Sequence, residues 1–148
     1  MTNNKFVVIF IVFLIILPVF LQAQTAAELE AILGAEVVTW AQAAKFVFNS
    51  ANNYTHGNAI EYAAANMWTR QAAPGDPITL AELSFILMKA FNIKGGLMYS
   101  INPSPRYAYR TMVSRNFIQG ASDPALKVSG EKFLVILGKV LSSVGDYK

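Results

Sequence analysis

The chain has 148 residues, 54% of them apolar and 14% charged, with a net charge of +3 that is not clustered. That length allows one domain with a buried core, and the lack of a basic stripe argues against nucleic-acid binding. Cysteine is absent, which excludes disulfides, thiolate metal sites, a cysteine nucleophile and a lipid-modified N-terminal cysteine.

Lys5 precedes an apolar run from Phe6 to Leu21, broken only by Pro18. The small residue Ala23 and a polar stretch follow. A positive start, an apolar centre and a small residue before polar sequence predict a signal peptide over 1–23, cleaved after Ala23. An uncleaved anchor is the alternative, but the run is shorter than the roughly 20 apolar residues of a membrane span and holds a proline. The mature chain is therefore expected outside the cytoplasm, in the periplasm or cell envelope.

Residues 26–33 predict a short helix stopped by Gly34. Thr39 and Gln42 have the spacing of a capping box, so a helix is expected through Ala43, Ala44, Phe46, Val47 and Phe48. A polar Asn-rich connection covers 49–58 and contains His56, the only histidine. With no second imidazole and no cysteine, His56 makes a poor metal site. Residues 59–68 have helical composition, with Ile60, Ala63, Ala64 and Met67 on one face. Pro74, Gly75 and Pro77 then block helix formation.

The best-signalled helix follows. Thr79 and Glu82 form a second capping box, and Leu80, Leu83, Leu87, Ala90 and Phe91 share a face. Gly95 and Gly96 are expected to stop it. Pro103 and Pro105 predict extended or turned backbone over 97–105. A helix is expected over 106–116, with Tyr109, Met112 and Val113 inward. The last helix opens at Val128-Ser129 and carries Phe133, Ile136, Leu137, Val140 and Leu141 on its apolar face. No strand-period run is present, so the fold class is all-α.

The chain also repeats itself. A shift of 50 lays 59–91 over 109–141 without a gap: Asn66 meets Asn116, Pro74 meets Pro124, Ile78-Thr79 meets Val128-Ser129, and Lys89 meets Lys139. A shift of 40 lays Val38-Thr39 over Ile78-Thr79 and Gln42 over Glu82. Each copy reads as an aliphatic residue, a Thr or Ser cap and an apolar helix.

This pattern resembles the S-layer homology family over about residues 36–141. Ile78-Thr79-Leu80-Ala81-Glu82 is similar to the family's Ile-Thr-Arg-Ala-Glu motif, and Val38-Thr39-Trp40-Ala41-Gln42 follows it more loosely. Asn116-Phe117-Ile118-Gln119-Gly120, followed by Asp123 and Pro124, is similar to the family's turn and loop. The resemblance implies a compact trefoil-like bundle of three helix-loop-helix repeats (about 26–50, 57–95 and 105–143) in a single domain, 24–148. It also implies non-covalent attachment to envelope glycan. The family's motif Arg helps hold an acidic wall glycan; Trp40, Leu80 and Gly130 occupy its positions here, and Lys132 replaces the Glu of the third copy. Those residues lack the two-pronged guanidinium that pairs with carboxylates. The glycan site is therefore expected to be lost or moved.

The most site-like surface stretch is Arg106-Tyr107-Ala108-Tyr109-Arg110. Cations beside aromatics suit sugar rings, anionic polymers or protein hot spots; the other reading is a helix start with solvated arginines and Tyr109 in the core. Trp40 and Trp68 can line a groove between repeats or pack in the core. Asp76 and Asp123 can be read as acid–base carboxylates, or as loop formers beside prolines. The ligand-binding candidates are therefore Arg106, Tyr107, Arg110, Trp40 and Trp68. No catalytic residue, metal or cofactor is expected. The expected role is envelope binding or scaffolding, with an envelope protein partner as the alternative to glycan and an oligomer left open. Only the signal sequence is expected to meet a membrane.

Overall fold

A computed structural model describes residues 26–51, 58–68, 72–120 and 123–145. The expected signal peptide and His56 lie outside the described residues. The chain divides into two compact units, Met1–Gly34 and Ala35–Lys148. In the first unit, helix α1 covers 26–33, and the Gly34 amide donates to the Glu30 carbonyl at 3.0 Å.

The second unit holds α2 (Trp40–Ser50), α3 (Ala59–Ala65), α4 (Leu80–Ala90), α5 (Leu97–Ile101), α6 (Pro105–Ser114) and α7 (Gly130–Gly145). The described residues thus contain seven helices and no strand, with isolated bridges only at Thr39–Pro77 and Thr79–Lys127. None of these helices is long and apolar enough to cross a membrane.

α2 packs on α3, α4 and α7, while α6 packs on α4 and α5. α4 lies deepest. Leu80, Leu83, Ser84, Phe85, Ile86, Leu87, Met88 and Ala90 are all buried, so its apolar surface is not one stripe, as expected of a helix surrounded by others. The Ser84 hydroxyl is buried there and donates to the Leu80 carbonyl at 2.6 Å, which satisfies it within its own helix.

The helix starts tie the unit together. Thr39 and Thr79 cap α2 and α4 through complete capping boxes. Ser129 accepts from the Lys132 amide at 3.4 Å, but lysine has no acceptor to return the bond. The first amides of a helix have no partner within it. Here they reach across the chain. The Trp40 amide donates to Asp76, Leu80 to Leu126 and Gly130 to Ala35, each at 2.9 Å. Just before each cap, three further bonds close a ring. Val38 donates to Val128 at 2.8 Å, Val128 to Ile78 at 3.1 Å, and Ile78 to Val38 at 3.0 Å. All three side chains are fully buried.

Helix ends departed from expectation. α4 stops at Ala90, before the glycines, because Asn92 takes a left-handed φ of 51°. Met67 (57°) and Asn116 (60°) do the same after α3 and α6. In each case the next amide returns to a carbonyl five residues back: Trp68 to Ala63, Ile93 to Met88 and Phe117 to Met112. This is the Schellman arrangement, with an apolar residue following the left-handed one. Met67 is therefore 89% exposed, not on the inner face, which is formed by Ala59 and Ala63. Phe91 is half-buried and Leu141 exposed, so neither joins the core as expected. Residues 97–101 form α5 instead of extended chain; the prolines that shape this region, Pro103 and Pro105, follow it.

Candidate functional site

The three positions matched to the family's ligand arginine are all interior. Trp40 is 2% exposed, Leu80 is fully buried and Gly130 is buried. Each is the first residue of a helix whose amide bonds to another segment, so the Trp40 and Leu80 side chains are packed inside and Gly130 has none to offer a ligand. A ligand has no access to Trp40, which takes the core place of its two expected ones and so drops out of the ligand-binding candidates. Trp68 is half-buried in an aromatic cluster where α2 meets α3. Its ring lies 5.2 Å from Phe48 and 5.9 Å from Tyr62.

The Arg-Tyr strip sits in the first turns of α6, started by Pro105. Proline suits that position because the amide it lacks has no helical partner there. Tyr109 and Ala108 face inward, leaving Arg106 and Arg110 exposed, one turn apart. The strip is divided between two grooves. Arg106 lines an open groove of about 610 Å³ with Thr79, Glu82, Pro105, Pro124 and Ala125. Tyr107 and Arg110 line another of about 330 Å³ with Leu97, Met98 and Tyr99.

The first groove places a guanidinium beside the cap of α4. Its neighbour Glu82 is committed: the carboxylate accepts from the Thr79 amide at 2.9 Å and the Thr79 hydroxyl at 2.7 Å. Arg106 therefore supplies the cationic chemistry, with proline and alanine as apolar walls. Such a site can pair with a carboxylate-bearing ligand through a two-pronged contact. The loop aspartates serve the backbone. Asp76 accepts from the Ala73 amide at 2.8 Å, and Asp123 from the Ala125 amide at 2.9 Å.

Compared with known protein families, curated proteins and solved structures, the chain matches nothing. The site is thus read from its own residues. Sequence reasoning offered Arg115 as a further member of the cationic strip, and the structure ties it to the Lys94 carbonyl at 2.7 Å; it passed over Lys94, Leu97, Met98 and Ile101, on α5 or the segment leading into it. The signal that could have found them is an acid-free stretch: no Asp or Glu occurs between Glu82 and Asp123.

Proposed function

We infer that this chain is a non-enzymatic, exported module of the cell envelope, built of three repeats resembling S-layer homology units in a trefoil-like bundle, and that it attaches to envelope glycan. The observation that carries this reading is the ring of backbone bonds among Val38, Ile78 and Val128. These are the aliphatic residues that open the three copies of the motif, and they meet head to tail. The Pro74 and Pro124 carbonyls, equivalent under the 50-residue shift, likewise accept from Ala41 and Ala81.

The glycan part of the reading rests on the resemblance and on Arg106. With Trp40, Leu80 and Gly130 interior, cationic recognition falls to Arg106 of α6, which lines the groove beside Thr79 and Glu82. An acidic sugar would pair with Arg106 while Glu82 stays bonded to the Thr79 cap, and Pro105 and Pro124 offer apolar walls for a ring.

Retention on peptidoglycan sacculi tests this. Wild-type protein is expected to co-sediment, and Arg106→Ala/Arg110→Ala to stay in solution. Absence of wild-type retention sinks the glycan reading and leaves an envelope protein as the partner.

A further inference from the structure

The net charge reads as unclustered, but the order of acids along the chain corrects that. Between Glu82 and Asp123 there are five cations, Lys89, Lys94, Arg106, Arg110 and Arg115, and no acid. All but Lys89 are exposed. Within this stretch stands α5, none of whose residues is buried. Leu97 is 75% exposed, Met98 57% and Ile101 71%. Aliphatic side chains held this far into water on one short helix contribute little to the core.

Two of the cations are brought up to that helix, and a third lies one turn further off along α6. Arg110 shares a groove with Leu97 and Met98. The Arg115 guanidinium donates to the Lys94 carbonyl at 2.7 Å, fixing Arg115 beside the segment that leads into α5. Arg106 lies one turn before Arg110 on α6. Tyr107 lines the same groove and Tyr99 is anchored inward on Phe85, with ring centroids 6.3 Å apart. An apolar tip, adjacent tyrosines and surrounding cations make up the composition that settles at a lipid–water interface.

We propose that α5 and its basic surroundings dock on an anionic bilayer surface, with Leu97, Met98 and Ile101 entering the headgroup–acyl boundary and Lys94, Arg106, Arg110 and Arg115 meeting lipid phosphates. The occupant is argued from charge complementarity: cations near an anionic leaflet each strengthen adsorption, and no acid within the stretch opposes them. The inference goes beyond the glycan reading, does not depend on it, and adds a membrane contact separate from the signal sequence.

A site-specific label tests the proposal in the full chain. Because the chain lacks cysteine, Ile101→Cys carries an environment-sensitive fluorophore at one position. The measurement uses vesicles of phosphatidylcholine alone or with phosphatidylglycerol at about a third of the lipid. With anionic vesicles the emission is expected to shift blue and become shielded from an aqueous quencher. Phosphatidylcholine alone, or 0.5 M salt, should abolish the shift. A label at exposed Glu61 on α3 should remain in water throughout. Adding Arg110→Gln should weaken the response about fivefold, the factor for one cation near an anionic surface. A label at 101 that stays as quenchable on anionic vesicles as in buffer overturns the proposal, including when the apolar N-terminal segment alone holds the chain to the vesicle. Equal response on both vesicle types also overturns it, because cations would then play no part. Sacculus retention is read separately, so either result stands without the other.

Discussion

The Ile78 amide donates to the Val38 carbonyl at 3.0 Å although the two residues lie forty positions apart. With Val128 they close a ring in which each residue is both donor and acceptor. A buried amide left without a partner costs about 1–3 kcal/mol, so displacing one member is expected to disturb the other two. Ile78→Ala leaves a cavity at this junction and is expected to destabilise the protein by about 2–4 kcal/mol. Combined with Val128→Ala, the effects should depart from additivity by about 0.5 kcal/mol or more, as for residues sharing one network. Urea unfolding of the two single variants and the double variant measures this; strict additivity would mean that the ring does not act as a unit.

The caps make a graded prediction. Thr79 and Glu82 satisfy each other's backbone reciprocally, whereas Ser129 only accepts from the Lys132 amide at 3.4 Å, and the Lys132 side chain cannot accept from the Ser129 amide in return. Thr79→Ala is expected to cost about 1 kcal/mol, in the range for lost caps, and Ser129→Ala clearly less. Thermal melts of both variants decide the order.

These caps were legible because their residue types and spacing report local backbone chemistry. Thr39 with Gln42, and Thr79 with Glu82, announce helix starts whatever surrounds them. The forty- and fifty-residue shifts likewise paired Val38, Ile78 and Val128, since equivalent places in a fold need similar side chains. Helix ends were harder. Glycine is the usual stop signal, but here Met67, Asn92 and Asn116 take the left-handed position, and methionine carries no such signal. Trp40 was ambiguous because a large aromatic suits both a core and a sugar groove; only packing settles which. Helix α5 was hidden by the prolines after it, which made 97–105 read as extended or turned.

Met67 offers a stabilising change. Its φ of 57° is a conformation that costs an L-residue roughly 1–2 kcal/mol, and its side chain is 89% exposed and packs little. Glycine removes the steric cost but adds about 0.5–1 kcal/mol of backbone entropy to the cost of folding. Met67→Gly is therefore expected to be stabilising by up to about 1 kcal/mol, which raises the melting temperature by about 2–4 °C in a chain of this size. Asn92→Ala, which inserts a less tolerant residue at an equivalent left-handed site, should shift it downward. Calorimetry on both variants checks the opposite signs.

Tyr99 makes the last prediction, because it anchors α5. Its ring packs against Phe85, and burial raises its pKa above the ordinary 10.0. The folded state therefore favours the neutral phenol. In the unfolded chain the same phenol ionises near its ordinary value, so this contribution is intact below about pH 10 and is lost as pH rises further. Subtracting the ultraviolet phenolate titration of Tyr99→Phe from that of wild type isolates this tyrosine among the six, and its midpoint should lie above 10. Gly95 supplies the control. A Cβ there would fall 2.6 Å from the Tyr99 Cβ, closer than side chains approach. Gly95→Ala must push Tyr99 off Phe85, so the midpoint should move back toward 10, and the amides of 97–101 should exchange faster while those of α4 keep their protection. A Tyr99 midpoint unmoved by Gly95→Ala would show that Phe85 is not what buries the ring.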